Sequence, residues 1–429
     1  MKKLVAMNKE TIGEMQQLQR WVPVSMLLRA LTPSQREDVH ALATLLNQPL
    51  ALVVVLQFSY EALSLALLDG GACGCTAIMQ DHADGVVHAR TLDWAWLDGL
   101  HELLVDLSVT RGGELLYRST TIAGFVGVLT AMRAGAGGAP AGGYSISLNY
   151  RRPFKGKWVD GEPEFDLPTL SRAGPLLAAV RQAIAGGWLV AGLLRHVVES
   201  AASFEDALRL LRKERVVAPC YVAVAGASAG QGALFTCGVG RERTEQKLAD
   251  ASRDGALCIA NVDCFGEEVP PPIRTPPRPG PAEAKDFLHG ESWLRRDLAL
   301  RLARHHRTDS AAEAVPAFEH IIGAPPIAND VTIHHSVMCA ATGAYVTARS
   351  AGPALLAACE FEPAAAVCRV CCSCNKKTAI YALKKRAAAA ELVPGSLLRR
   401  RGGGYYCRAC LPLSAEDLSA RNESPSKSA

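Results

Sequence analysis

The run Gly70-Gly71-Ala72-Cys73-Gly74 constrains this chain more than any other stretch, because the hydrophobic period changes across it. Before it, Arg36 to Leu46 places apolar residues at helical spacing, and Leu50 to Leu68 is a strongly apolar, helix-like run. After it, from Cys75 onward, the pattern changes in short steps and predicts strands at 75–80, 85–91, 103–110 and 114–119. Asp84-Gly85 and Gly112-Gly113 supply turn chemistry, and connections this short join strands in antiparallel fashion. A further strand is predicted at 144–149, after a Gly/Ala-rich stretch at 134–143. Helices are predicted at 169–186, 188–200 and 203–213, and strands at 219–226, 232–238 and 256–262. A proline-rich loop, Pro270 to Pro281, leads to helices at 291–305 and 310–321 and a strand pair around 331–348. Strands in two groups with helices between them predict an α+β architecture of two stacked sheets flanked by helices.

A length of 429 residues suits two or three domains. With 49% hydrophobic and 21% charged residues the chain can bury a sizeable core, which excludes global disorder. The formal net charge of +4 is unevenly placed: residues 363–429 carry 12 Lys/Arg against 4 Asp/Glu, so the preceding residues are net negative. Met1-Lys2-Lys3 begins as a signal peptide does, but the apolar run Leu4 to Met7 is cut short by Asn8-Lys9-Glu10. The expectation is a cytoplasmic protein, or a lysosomal one if a leader precedes this sequence.

Among the fourteen cysteines, Cys75 stands where chemistry would be placed. It opens one predicted strand, and the next closes on Arg90 and Asp93. A thiolate is the best side-chain nucleophile near neutral pH. The bland alternative is a buried structural thiol beside a surface ion pair worth under about 1 kcal/mol. His88 reads as a packed strand histidine, and Cys73 is the competing thiol.

A series of stretches then runs in one order: Pro49 through Glu61, Cys75-Thr76-Ala77-Ile78, His88-Ala89-Arg90-Thr91-Leu92-Asp93-Trp94, Ala123 to Thr130, and Ser145 to Asn149. It continues with Ala218-Pro219-Cys220-Tyr221, Asn261-Val262-Asp263, Arg295-Arg296 and Val331-Thr332-Ile333. This series resembles the acid ceramidase and N-acylethanolamine acid amidase family, cysteine N-terminal-nucleophile hydrolases of the choloylglycine hydrolase superfamily. The resemblance implies a four-layered αββα fold. It also implies self-cleavage between Gly74 and Cys75, so that residues 1–74 become a helical small subunit partnering a catalytic domain at 75–355. Cys75 would be the nucleophile and its freed α-amino group, with an ordinary pKa of about 8, the base. Asp93 would hold that ammonium, and Arg90 would stabilise the thiolate and orient the acyl carbonyl. Asn261 would donate to the tetrahedral oxyanion, a contact worth about 3 kcal/mol of barrier. Arg295 would support the site electrostatically, with Arg296 competing for that position. No catalytic cofactor is implied. The implied substrate is a fatty-acyl amide of the ceramide or N-acylethanolamine type.

One departure matters. Ceramidase-type members carry Asn-Glu-Arg where this chain has Asn149-Tyr150-Arg151. Asn-Tyr is similar to bile-salt hydrolases, penicillin V acylases and isopenicillin acyltransferases, in which this corner lends a backbone N–H to the oxyanion hole, so Tyr150 is the expected counterpart. Acyl transfer to an amine is therefore the alternative reaction. Gly124 to Leu129 and the apolar helix 50–68 either line a fatty-acyl slot or are ordinary core.

The C-terminal region is separate in character. Cys368, Cys371, Cys372 and Cys374 are followed about thirty residues on by Cys407 and Cys410. Two such knuckles fit a closed four-thiolate structural zinc site, a zinc-ribbon-like module at 368–412, with Cys371, Cys374, Cys407 and Cys410 as the chosen ligands; disulfides in a secreted chain are the alternative. Lys384-Lys385-Arg386 and Arg399-Arg400-Arg401 suggest contact with an anionic membrane or nucleic acid, against the plainer reading of a solvated linker. Residues 413–429 read as a disordered tail. A non-catalytic scaffold acting through this tail is the rival from another class.

Overall fold

The computed structural model describes residues 24–64, 73–94, 100–139, 141–151, 154–159, 162–165, 182–183, 185–251, 255–261, 292–324, 327–329 and 331–349, with six short strand segments between 360 and 406. Among the described residues four helices come first: α1 (Val24–Arg29), α2 (Pro33–Leu46), α3 (Leu50–Leu56) and α4 (Ser59–Ser64). Thr32 starts α2 through a reciprocal capping box with Gln35, which satisfies two backbone donors that a helix start leaves open. The apolar run expected as one helix over 50–68 is interrupted after Leu56. There Gln57 turns its side chain to the Val53 and Gly124 carbonyls and to the Val126 N–H, tying the break to a distant loop.

The predicted hairpin is present as β1 (Cys73–His82) and β2 (Gly85–Trp94), paired residue for residue from Cys73 with Trp94 to His82 with Gly85. The chain continues through β3 (Leu104–Arg111), β4 (Glu114–Ile122), β5 (Thr130–Arg133), β6 (Tyr144–Tyr150) and the two-stranded pair β7 (Phe154–Val159) and β8 (Glu162–Phe165). Helices α5 (Val190–Ser200) and α6 (Phe204–Lys213) precede β9 (Cys220–Gly226), β10 (Gly232–Cys237), β11 (Arg243–Lys247) and β12 (Ala256–Ile259). Helices α7 (Ser292–His305) and α8 (Ala311–Ile322) and strands β13 (Thr332–Cys339) and β14 (Ala344–Arg349) complete this part. Strands β5 and β11 are too short and polar to have carried a sequence signal. The predicted helix 169–186 falls almost wholly outside the described residues.

Two antiparallel sheets result, in the orders β12-β1-β2-β13-β14 and β11-β10-β9-β6-β5-β4-β3. Because side chains alternate along a strand, each sheet buries both faces. Ile78, Val87, Ala89 and Val337 of the first sheet pack on Leu298, Phe318 and Ile322 of α7 and α8. Its other face, with Ala77, Met79 and Val86, meets Tyr221, Ala223 and Leu234 of the second sheet. The far face of the second sheet, with Ile146, Leu148, Val222 and Phe235, is covered by Leu193, Leu194 and Val197 of α5 and Leu208 and Leu211 of α6. The order of layers is helix, sheet, sheet, helix. Helices α1 to α3 gather with Leu189 and Val217 in a smaller cluster of Ala30, Leu31, Val39, Val53 and Val54.

Among the described residues no helix is long and apolar enough to cross a membrane. Nor does any group of three or more His, Cys, Asp or Glu side chains among them stand where it could hold a metal ion. Of the C-terminal region only three short antiparallel pairs are described, 360–361 with 383–384, 367–370 with 377–380, and 398–399 with 405–406. The expected zinc ligands Cys371, Cys374, Cys407 and Cys410 lie outside the described residues. So do Lys385, Arg386, Arg400 and Arg401 of the two basic runs, and the tail 413–429.

Candidate active site

The β1–β2 register places Gly74 opposite Asp93 and Cys75 opposite Leu92, two residues from Arg90. Alternation then divides the polar groups between two faces of one sheet. Cys75, Arg90 and Leu92 face the second sheet; Asp93 lies on the side of α7 and α8. All of Cys75, Arg90, Asp93, Asn261 and Arg295 are buried.

On the inter-sheet side, Arg90 Nη2 donates to Cys75 Sγ at 3.2 Å and to the Leu148 carbonyl at 2.8 Å. Its Nη1 donates to Thr130 Oγ1 at 2.6 Å. The second sheet therefore aims the guanidinium at the sulfur. Burial pushes the Cys75 thiol above its ordinary range; Arg90 opposes this, as do hydrogen bonds from the backbone N–H groups of Asp93 and Tyr150. The sulfur also borders an apolar cluster that includes Val55, Tyr60, Leu92, Trp94 and Leu129.

On the other side, the backbone of Cys75 is held at both ends. Its N–H donates to Asn261 Oδ1 at 2.9 Å, and its carbonyl accepts from Arg295 Nη1 at 3.0 Å. Arg295 Nη2 donates to the same Asn261 oxygen at 2.6 Å, and Asn261 Nδ2 donates to the Tyr150 carbonyl at 2.9 Å. Arg295 Nη1 also reaches Thr76 Oγ1 at 3.0 Å and Asp93 Oδ2 at 3.2 Å. Burial raises the Asp93 carboxyl, opposed by Arg295, Thr332, Asn329 and Arg90. A Cβ on Gly74 would stand 3.2 Å from Asp93 Oδ2, so the carboxylate lies against the residue that precedes Cys75.

Of the two competing arginines, Arg295 enters the cluster, whereas Arg296 pairs with Asp297 at 3.1 Å. Tyr150 contributes backbone groups here; its ring stands edge-on to Tyr60, 6.2 Å between centroids. His88 is buried with Nδ1 and Nε2 each 2.9 Å from a serine, Ser145 and Ser147, and burial holds its pKa down to about 3, with Arg90 adding to the effect. A neutral, doubly partnered imidazole is a packing element.

Two residues that sequence reasoning did not single out complete the cluster. Thr332 Oγ1 donates to Asp93 Oδ1 at 2.6 Å, and Asn329 Nδ2 donates to Oδ2 at 3.2 Å. The Asn329 N–H in turn donates to Thr332 Oγ1 at 2.8 Å, which leaves that hydroxyl's only proton for Asp93. Thr332 sits in the stretch 331–333 already noted; its partner was invisible because only the β2–β13 pairing brings the two together. The cluster can thus hold a sulfur beside a cation, fix the adjoining backbone nitrogen and carbonyl, and keep a carboxylate beside the preceding peptide.

The chain is 24% identical over 220 residues to acid ceramidase of Bos taurus, covering 47% of this chain and 46% of that protein. It is 24% identical over 229 residues to acid ceramidase of Homo sapiens, covering 49% and 47%. Against the N-acylethanolamine-hydrolyzing acid amidase of Caenorhabditis elegans it is 24% identical over 217 residues, covering 50% and 54%. The chain thus spans about half the length of the curated relatives it matches. A solved structure of the Caenorhabditis elegans N-acylethanolamine-hydrolyzing acid amidase ortholog aligns with a TM-score of 0.45 at 21% identity, covering 62% of this chain and 93% of that one. No family model matches. Over the half of its length that aligns, the chain is a distant relative of the acid ceramidases and N-acylethanolamine-hydrolyzing acid amidases.

Proposed function

We propose that this chain is a self-processing cysteine amidohydrolase of the N-terminal-nucleophile type, acting on lipid amides in which a fatty-acyl group is bound to an amine. The observation that carries the reading is the bracketing of Cys75: Arg90 at its sulfur, Asn261 at its nitrogen and Arg295 at its carbonyl. Cys75 sits within β1, so in the uncut chain its nitrogen is a peptide nitrogen.

In the first step the Cys75 sulfur attacks the Gly74 carbonyl carbon, its proton passes to the leaving nitrogen, and water then hydrolyses the thioester. The new α-amine keeps Asn261 Oδ1 as its acceptor and gains Asp93, which already adjoins Gly74. In turnover that amine takes the thiol proton, the sulfur attacks the amide carbonyl, and the proton returns to the departing amine. Arg90 stabilises the thiolate, and Asn261 with the Tyr150 N–H receives the oxyanion. Arg295 and Asp93 keep the nitrogen in place. Residues 1–74 remain as a small subunit: Arg195 of α5 bonds Asp38 and Ser34 of α2, and Gln57 bonds the 124–126 loop.

The zinc-ribbon-like module remains a proposal of its own, tested by the zinc content of the purified chain before and after Cys407→Ser. For the main reading, intact mass of the purified chain should show a fragment beginning at Cys75, and a fatty-acyl amide should release free acid. A chain that stays whole near 45.6 kDa and inert overturns it. Acyl transfer, the alternative, is revealed if added amines divert the product from acid to a new amide.

A further inference from the structure

One rung of side chains crosses the second sheet outside the cluster just described. Register places Tyr150 of β6 opposite Cys220 of β9, Cys220 opposite Cys237 of β10, and Cys237 opposite Arg243 of β11. Both cysteines are buried free thiols on the helix-covered face, with Cys220 0% and Cys237 2% exposed. Directly opposed residues in an antiparallel pair stand about 4.5–5.5 Å apart at Cα, inside the range of about 4.4–6.8 Å that a disulfide spans. The register thus places the pair within the Cα range of a disulfide.

We propose that Cys220 and Cys237 form a redox-modification site, a dithiol that a hydroperoxide converts to a cross-strand disulfide on the rung that carries Tyr150.

The surroundings make the two thiols unequal. Cys237 accepts the S–H hydrogen bond of Cys220 and faces the guanidiniums of Arg243 and Arg151, which together lower its pKa. The same contact and burial raise Cys220. Arg151 Nη1 donates to the Cys237 carbonyl at 3.0 Å, and Arg243 Nη2 donates to the Glu214 carbonyl. Arg243 Nε and Nη1 are buried with no hydrogen-bond partner among the described residues, so this cation stands ready to stabilise a thiolate and the oxygen leaving from it. Arg243 lies on β11, the edge strand, and is partly exposed, whereas both thiols are buried, so a small oxidant reaches the pair only when this edge opens enough to admit it.

The chemistry balances with a peroxide as oxidant. The Cys237 thiolate attacks one peroxide oxygen, the O–O bond breaks, and the hydroxide released takes up the proton lost by the thiol, giving a sulfenic acid and water. The Cys220 sulfur then displaces hydroxide from the sulfenic sulfur, forming S–S; its own proton completes the second water. Two thiols are oxidised and one peroxide is reduced. The bond would tether β9 to β10 beside Tyr150, whose N–H reaches the Cys75 sulfur and whose carbonyl accepts from Asn261. That consequence rests on the role given to Cys75 above, so the test reads the bond itself.

Full-length chain, with and without hydrogen peroxide, is alkylated under denaturing conditions and digested. Expected is a linked peptide containing Cys220 and Cys237, two hydrogens lighter than its parts, that dithiothreitol abolishes. It persists in Cys75→Ala and is lost in Cys237→Ser, where Cys220 is recovered alkylated. Recovery of both residues alkylated after peroxide has oxidised other thiols overturns the proposal, as does a bridge from either one to a different cysteine, or Cys237 ending as a sulfinate with Cys220 free.

Discussion

The two faces of the five-stranded sheet surround a buried acidic group with different partners. On the helix-covered face, Asp93 receives Thr332 on one oxygen and Asn329 and Arg295 on the other. Each of these is a donor that favours the ionised form, although burial still leaves the carboxyl raised. On the inter-sheet face, Cys75 has the Arg90 guanidinium and two backbone N–H groups, yet burial still leaves its thiol pushed up. One face fixes positions; in the proposed mechanism the other keeps the Cys75 thiol protonated until a base arrives. A neighbouring carboxylate, Glu61 of α4, sharpens the contrast. Its Oε1 accepts the Val190 N–H at the start of α5, its Oε2 has no partner among the described residues, and burial pushes its pKa up to about 7.

The largest effect belongs to the reactive face. Cys75→Ala should abolish the fragment beginning at residue 75 and lower amide turnover about 10³-fold or more, read by intact mass and product assay. An alanine chain that still splits at this junction would erase the distinction between the faces. Next comes Arg295→Met, which strands a buried carboxylate; thermal or denaturant unfolding should show a loss of about 3–5 kcal/mol. A neutral result would mean that Asp93 is protonated and the face is not ionic.

Glu61→Gln tests a carboxylate that has no cation partner among the described residues. Its folded pKa is about 7, above the ordinary carboxyl value of 4.5, so its protonated form stabilises the fold fully below 4.5 and the contribution is lost as pH rises through 7. The wild-type chain should lose about 3 kcal/mol across this window, and the Gln variant should show a flatter profile. A slope unchanged in the variant would place the titration elsewhere. The smallest effect is Thr332→Val, expected to cost about 1–2 kcal/mol, with Thr332→Ser close to the parent. If both behave alike, the hydroxyl does not orient Asp93.

Much of this was readable from the chain because the key groups share one hairpin. Cys75, Arg90 and Asp93 lie within twenty residues, and the turn at Asp84-Gly85 sets their register. Asn261 and Arg295 came from the resemblance alone, since nothing in their local pattern marks them. Asn329 and Glu61 escaped because their contacts cross distant parts of the chain, to Asp93 and Val190. The layer order was legible from strand grouping, whereas β5 and β11 were not, being held by neighbours rather than by their own propensity. The same holds for the Tyr150–Cys220–Cys237–Arg243 rung, which exists only through four-strand pairing.

The closeness of Gly74 to Asp93 restricts how such a protein can evolve. A methyl group at position 74 would stand 3.2 Å from the carboxylate, so a larger residue on that side of the junction fits only if Asp93 gives way by a few tenths of an ångström. If the chain cuts itself at this junction as proposed, the first bond it breaks has a neighbour that must be small.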